Sequence, residues 1–472
     1  MNPKELPLSP SLEQYKKQAK DLVKAHQAGH HEAIQRIQQH HPRTAQLSHV
    51  ALADAQLVIA REHGFDSWPK FAVHITSLKP DDPAFLWKSA EEAVMKGDLA
   101  ALDHLLREHP KMFREQHPPS FASGGLRPDY SGGDAQAILL SNHHFENWNA
   151  FAKYLEALNN PTSPIAQFEK AVYSIVNGDT ATLERLLHEN PDLSQARSPR
   201  KHHATLLHYV GSNGVEYFRQ KCPKNIVAIT KMLLQAGADV DAVADIYGKS
   251  TTFGLAATSI HPVLAGVLIP LLETLLAAGA TMDAPAGTGS LVNACLHNGR
   301  AAAAEFLALR GARLDLEAAS GVGRLDLVKN FFHDDGSLKP TATKTQLNDG
   351  FCWACQYGRL NVVEFLLDQR FDITANGAHG QTGLHWAAYG GHLDIVKLLL
   401  KQKPLIDVKD KRFQSTPLGW AIHGWQSLPV EAAGRRYSEV IALLFASGAK
   451  VEPEWLTDEK VRHALNSQSI TG

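Results

Sequence analysis

The stretch from Gly380 to Leu400, GQTGLHWAAYGGHLDIVKLLL, constrains the rest of the chain more than any other. Leu384, Ala387 and Ala388 set small or apolar side chains at one-turn spacing, and Gly390-Gly391 ends that run. Leu393, Ile395, Val396, Leu398, Leu399 and Leu400 follow as an apolar stripe too wide to leave in water. Helices this short are marginal alone, so both must be held by neighbours. A unit of this kind needs copies of itself on each side. Gly323, Gly358 and Gly391 stand 35 and 33 residues apart, each followed by Arg or His, then Leu, then Asp or Asn. The chain is therefore expected to stack repeated helix pairs.

The repeat resembles an ankyrin repeat. Thr382-Gly383-Leu384-His385 stands where that family has T-P-L-H, departing at Gly383, and Gly237-Ala238-Asp239-Val240 matches its G-A-D-V. The resemblance implies an all-α fold, an ankyrin-repeat α-solenoid with short β-hairpin or turn loops. About eight units are expected over 166–453, with a C-terminal cap and tail at 454–472. Three units carry inserts between their helices, at 211–225, 258–270 and 424–438. Such inserts line one edge of a solenoid, where they either build a wall or lid or are loop growth tolerated at a surface turn. The family resemblance also implies that His208 and His385 bond backbone in the neighbouring turn.

The N-terminal third holds its own duplication, expected as helical copies at 1–80 and 81–165. His63, Phe65, Trp68 and Phe71 recur 80 residues later as His143, Phe145, Trp148 and Phe151. Phe and Trp at this spacing are read as the apolar face of a helix. Helical hairpins run from Gly29 to Pro42, Gly97 to Pro110 and Gly178 to Pro191. A long Pro/Gly/Ser loop is expected at 110–134. This region, placed before such an array, resembles the helical lead-in of some bacterial ankyrin proteins. The cluster His26, His30, His31, His40 and His41 reads as a solvated polar face.

Ankyrin arrays are, as a family, protein-recognition scaffolds without chemistry of their own. The expected function is a non-catalytic adaptor with a protein partner on the concave face between about 345 and 450. Tyr357, Tyr389 and His423 are the binding candidates there, with Arg412 and Phe413 in the hairpin before the last unit. Trp353, Trp386 and Trp420 recur at one repeat position, where Tyr209 also aligns, and stacking should bring the rings into a ladder. For the three Trp, packing between helices is the preferred reading. The alternative is an enzyme or small-molecule binder with a pocket beside the inserts, using Asp245, Tyr247, His261, Arg435 and Arg436. No G-x-S-x-G, Walker A, H-E-x-x-H or G-x-G-x-x-G supports it.

Composition narrows the field further. A formal net charge of -2 gives no global footprint for nucleic acid, and the basic run Arg197 to His203 reads as a solvated loop. Four cysteines are too few and scattered for a disulfide framework, which fits a reducing, cytoplasmic setting. Cys352 and Cys355 form a C-x-x-C, but both fall at repeat positions of their own and no second pair completes a zinc site. No metal, no cofactor and no membrane association are expected. The N-terminus lacks an apolar leader, and the apolar run around Val263 to Leu276 is too short and interrupted to span a bilayer.

Overall fold

The structure is a computed structural model. It describes residues 4, 12–42, 50–77, 89–90, 92–94, 98–108, 135–282, 290–377, 379–427 and 435–466. The chain divides into two compact units, Met1–Gln167 and Phe168–Gly472.

In the first unit, helices Leu12–Gln27, His31–His40, Leu52–Glu62 and Trp68–Ser77 enclose Tyr15, Leu22, Ile37, Val58 and Phe71. Helices Leu99–Glu108, Ala135–Asn142 and Trp148–Leu158 belong to a second core around Val94, Leu102, Leu139, Phe151 and Tyr154. The aromatic arrangement is the same in both. His63 stacks on Phe71 at 5.4 Å and His143 on Phe151 at 5.5 Å. Trp68 and Trp148 lean on those same phenylalanines at 5.6 and 5.5 Å. The histidine cluster departs from the expected solvated face at one end. His30 and His31 are exposed, but His41 is buried and its Nε2 meets Asp54 Oδ1 at 3.2 Å. The end of that helix turns inward, which hydrophobic spacing among polar residues does not reveal. Gly97, Pro110 and the loop expected at 110–134 lie outside the described residues.

The second unit is an all-α solenoid. Eight helix pairs follow one another among the described residues, beginning with Pro164–Asn177 and Thr180–Glu189. The last four are Leu316–Val322 with Leu325–Lys329, Lys344–Gln356 with Leu360–Asp368, Gly383–Gly390 with Leu393–Lys401, and Pro417–Ser427 with Tyr437–Ala446. Gly323, Gly358 and Gly391 separate the helices of their units at φ 81, 74 and 71°, a backbone conformation that glycine adopts without strain. Hairpins precede several first helices. Val243–Ala244 pairs antiparallel with Ser250–Thr251, and single bridges join Arg197 to Thr205 and Asn376 to Thr382. The Thr205 and Thr382 amides each donate to the ring Nδ1 of the histidine three residues on, at 3.1 Å. That fixes the proton of His385 on Nε2, which donates to Ser415 O in the next turn at 3.3 Å.

Two buried clusters fill the array. One runs from Phe168 to Leu307 and includes Ala318 and Trp353; the other runs from Leu316 to Leu465. The 3-10 turn Pro453–Thr457 and helix Glu459–Asn466 close the end, burying Val461, Ala464 and Leu465. No helix among the described residues is long and apolar enough to cross a membrane.

The departure at Gly383 has a steric cause. A Cβ there would lie 2.4 Å from Phe351 Cε1 and 3.1 Å from Cys355 Sγ, so the close approach of helices Lys344–Gln356 and Gly383–Gly390 excludes any side chain. In the last unit Pro417 occupies the corresponding place.

Candidate functional site

The three tryptophans stand on successive first helices and touch in sequence. Trp353 and Trp386 have ring centroids 5.3 Å apart, Trp386 and Trp420 4.8 Å. Carboxylates hold the two outer rings. Trp353 Nε1 donates to Glu317 Oε1 at 2.9 Å, and His297 Nε2 meets the same oxygen at 2.7 Å. Trp420 Nε1 donates to Asp410 Oδ2 at 3.1 Å. Trp353 and Trp420 are buried and Trp386 is half-buried. Tyr209 does not join the ladder: its ring is fully buried near Phe168 and His202, and its hydroxyl donates to Glu216 at 3.4 Å.

The other candidates gather around this ladder. Tyr389 meets Trp386 and Trp420 edge-on at 6.2 and 5.7 Å and stacks on exposed His423 at 6.1 Å. Phe413, 57% exposed, stands 6.1 Å from Trp420, with the Arg412 guanidinium 5.2 Å above its ring. Asp410 builds that hairpin. Its Oδ1 accepts from the Arg412 and Phe413 amides at 2.8 and 2.7 Å, and its Oδ2 from the Ser415 amide at 3.2 Å. Burial alone would push the Asp410 carboxyl up; the donors at Phe413, Trp420, Ser415 and Arg412 outweigh it and hold the carboxyl below its ordinary value. Tyr357 turns inward instead, donating its hydroxyl to Leu296 O.

The five residues of the alternative pocket are engaged separately. Asp245 pairs with His203 at 2.9 Å, the Tyr247 hydroxyl donates to Asn213 at 3.2 Å, and Arg436 pairs with Glu439. Arg435 donates to the Tyr437 hydroxyl at 3.2 Å, and His261 is half-buried in a helical turn of the second insert. Among the described residues no hydrogen bond or ion pair joins any two of the five. Nor does any group of three or more His, Cys, Asp or Glu residues there suit a metal ion. Burial pushes the Cys352 thiol up to about 12 and Cys355 well above its ordinary value, leaving both as inert thiols.

The basic run 197–203 is not the solvated loop its composition suggests. Arg200 and His202 are each 1% exposed. Arg200 lies between Glu169, at 3.4 Å, and Glu216, while Arg219 pairs with Glu169 and reaches Glu216 at 3.8 Å. His202 Nε2 meets Glu216 at 3.2 Å. Glu216 and Arg219 come from the 211–225 insert, whose middle is thus tied into the core. Burial penalises the Glu216 carboxylate, but Arg200, Arg219 and His202 together hold it well below the usual range. A charge pattern read along a loop cannot show that its partners lie on a helix and an insert elsewhere.

A family model for ankyrin repeats (3 copies) matches residues 260–411 and again 351–454, so this part of the chain consists of ankyrin repeats. Among solved structures the chain is similar to the human ASB11 ankyrin repeat domain. Identity is 17% and the TM-score 0.30, over 60% of this chain and 99% of that one. No curated protein matches the sequence. Ankyrin repeats are in general protein–protein interaction modules, and the second unit is an all-α ankyrin-repeat solenoid.

Proposed function

We propose that the protein is a non-catalytic ankyrin-repeat adaptor, cytoplasmic and of the bacterial type with duplicated N-terminal helical copies. Its protein partner lies on the concave face between about 345 and 450. The observation that carries this reading is the aromatic ladder. Carboxylates at both ends hold its indoles, so the surface of Tyr389, His423 and Phe413 rests on a rigid floor. Aromatic anchors with a neighbouring Arg are the composition of a binding hot spot, and a preorganised surface loses little freedom on binding. Four free thiols fit a reducing compartment.

The test is a photo-crosslinking side chain placed at Phe413, at His423, or at Leu309, which is 85% exposed on a second helix. Irradiated in source-cell lysate, the first two should trap one shared protein that Leu309 does not. Identical adducts at all three positions, or none at Phe413 and His423, would remove the concave-face reading.

A further inference from the structure

The row of first-helix positions that holds Tyr389 extends back to His297. His297, Gln356 and Tyr389 each stand two residues before a positive-φ glycine of their unit, Gly299, Gly358 and Gly391. Gly321 holds that place in the unit between the first two, and a Cβ there would lie 2.5 Å from Leu296 Cδ1 and 3.2 Å from Trp353 Cβ. The missing side chain lets helices Leu291–His297 and Lys344–Gln356 meet across the unit that separates them, and the Tyr357 hydroxyl secures the approach by donating to Leu296 O. His297 therefore reaches two partners at once. Its ring lies 4.8 Å from the Trp353 ring, and its Nε2 is 2.7 Å from the Glu317 oxygen that also accepts from Trp353 Nε1 at 2.9 Å.

The two ends of the ladder are thus anchored by different chemistry. Asp410 holds Trp420 with a carboxylate fixed by three backbone amides, and it stays charged through the neutral range. Glu317 holds Trp353 through an oxygen shared with an imidazole side chain that is 52% exposed. The Glu317 hydrogen bond raises that imidazole above its ordinary 6.5 against burial, and the charges of Glu317 and Asp349 add to it. Asp349 lies one turn before Trp353 on the same helix, and a Cβ at Gly350 beside it would meet Glu317 Cα at 3.2 Å. Asp315 accepts from Asn293 and Gln346 at 3.0 and 3.1 Å. Helix Ala301–Leu309, also packed on Leu291–His297, brings Glu305, paired with Arg359, and Arg300 just before it. Helix Thr252–Thr258 brings no titratable side chain. Below pH ~6.5 the protonated ring makes a charge-assisted bond to Glu317 and sets a cation beside the Trp353 indole. As pH rises through the folded value the proton leaves, the bond becomes a neutral one, and that contribution is lost.

We propose that His297 and Glu317 form a proton-operated clamp on the Trp353 end of the ladder, which makes partner binding at Tyr389, His423 and Phe413 depend on pH across the neutral range. The binding half rests on the adaptor reading above. A clamped indole gives Trp386 and Tyr389 a fixed floor, whereas a looser one makes them surrender more freedom on binding. Binding is therefore tighter on the acid side of the His297 midpoint.

Both arms of the experiment use the full chain. In the first, NMR follows the His297 ring and the indole Nε1–H signals of Trp353 and Trp420 against pH, assigned with His297→Gln and Trp353→Phe. His297 should titrate above 6.5, and across that midpoint solvent exchange of the Trp353 indole should accelerate several-fold relative to that of Trp420. Trp420 cancels the general effect of base on exchange, and His385, the imidazole that meets its ring, is held low by burial. His297→Gln, at an exposed position, should flatten the ratio, and Glu317→Gln should bring the His297 midpoint down. A ratio that ignores pH, or that changes equally in His297→Gln, overturns the clamp. In the second arm, the photo-crosslinking side chain at Phe413 is irradiated in source-cell lysate at about pH 6 and about pH 8.5, with His297 and with His297→Gln. Adduct yield should be several-fold higher at the lower pH with His297, and less dependent on pH without it. Because exposed His423 shares the surface, the comparison is between the two backgrounds. Equal pH dependence in both overturns the link to binding. If the clamp titrates but no adduct forms at either pH, the binding half falls with the adaptor reading and the clamp stands.

Discussion

Substitution of Gly383 by Ala tests whether the departure from the repeat pattern is steric. The added Cβ would meet Phe351 at 2.4 and 3.0 Å and Cys355 Sγ at 3.1 Å. The Phe351 ring has no room to withdraw, since it is buried and stacked on Phe371 at 4.1 Å. Overpacking a close-packed core by one methyl costs about 1–3 kcal/mol. Ala recovers up to about 1 kcal/mol over Gly in a helix interior, and less at a first position such as this. The expected net is a loss of about 1–2 kcal/mol. Phe351→Val removes both ring contacts, so the same Gly383→Ala change in that background should fall near zero, a coupling of about 1–2 kcal/mol. Urea unfolding of the four proteins measures the cycle. Amide exchange at helices Lys344–Gln356 and Gly383–Gly390 should accompany it, because repeat arrays do not always unfold in two states. A stabilising Gly383→Ala in the native background, or an equal loss in both backgrounds, would refute the steric account.

Further outcomes follow from the buried polar groups. Glu216→Gln leaves Arg200 and Arg219 facing an amide in a buried setting. It should cost about 3–5 kcal/mol by chemical denaturation; a loss below about 1 kcal/mol would mean that water already reaches the network. His208 is buried and held neutral, its folded value lowered to about 4 from 6.5. Above pH ~6.5 it is neutral folded and unfolded and contributes nothing. As pH falls from there to about 4 the unfolded chain takes the proton first, so stability declines by at most about 3 kcal/mol. His208→Gln should flatten that part of the pH profile of Tm; an unchanged slope would exclude His208 as its origin. Asp410→Ala removes the acceptor of three amides and an indole. It should cost about 2–3 kcal/mol near neutral pH and raise amide exchange at Phe413 and Ser415. Because the folded carboxyl lies below its unfolded value, this stabilisation is complete above pH ~4 and disappears as pH falls through the folded value. Unchanged exchange at those amides would show that the hairpin holds without Asp410.

The repeat architecture was legible because its punctuation is local. Positive φ at Gly323, Gly358 and Gly391 favours glycine over any other residue, and Thr382 with His385 caps a helix within three residues. The ladder was legible too, since stacking brings residues one period apart into contact. The interior of the 197–225 region was not, because Arg200, Glu216, Arg219 and Glu169 find one another through the fold alone. The carboxylates behind the indoles, Glu317 and Asp410, had no signal either, one lying in a helix and the other in a hairpin.

The division of the array into two buried clusters gives the ladder a second meaning. Trp353 belongs to the first cluster, Leu418 and Ala421 beside Trp420 to the second, and Trp386 packs against both. The ladder therefore spans the seam between two parts that could otherwise melt separately. A guest that grips Tyr389 and Phe413 would make their unfolding a shared event, so that occupancy is read out as cooperativity. If the two clusters melt in separate stages, a guest held there would draw those stages of the melting curve together.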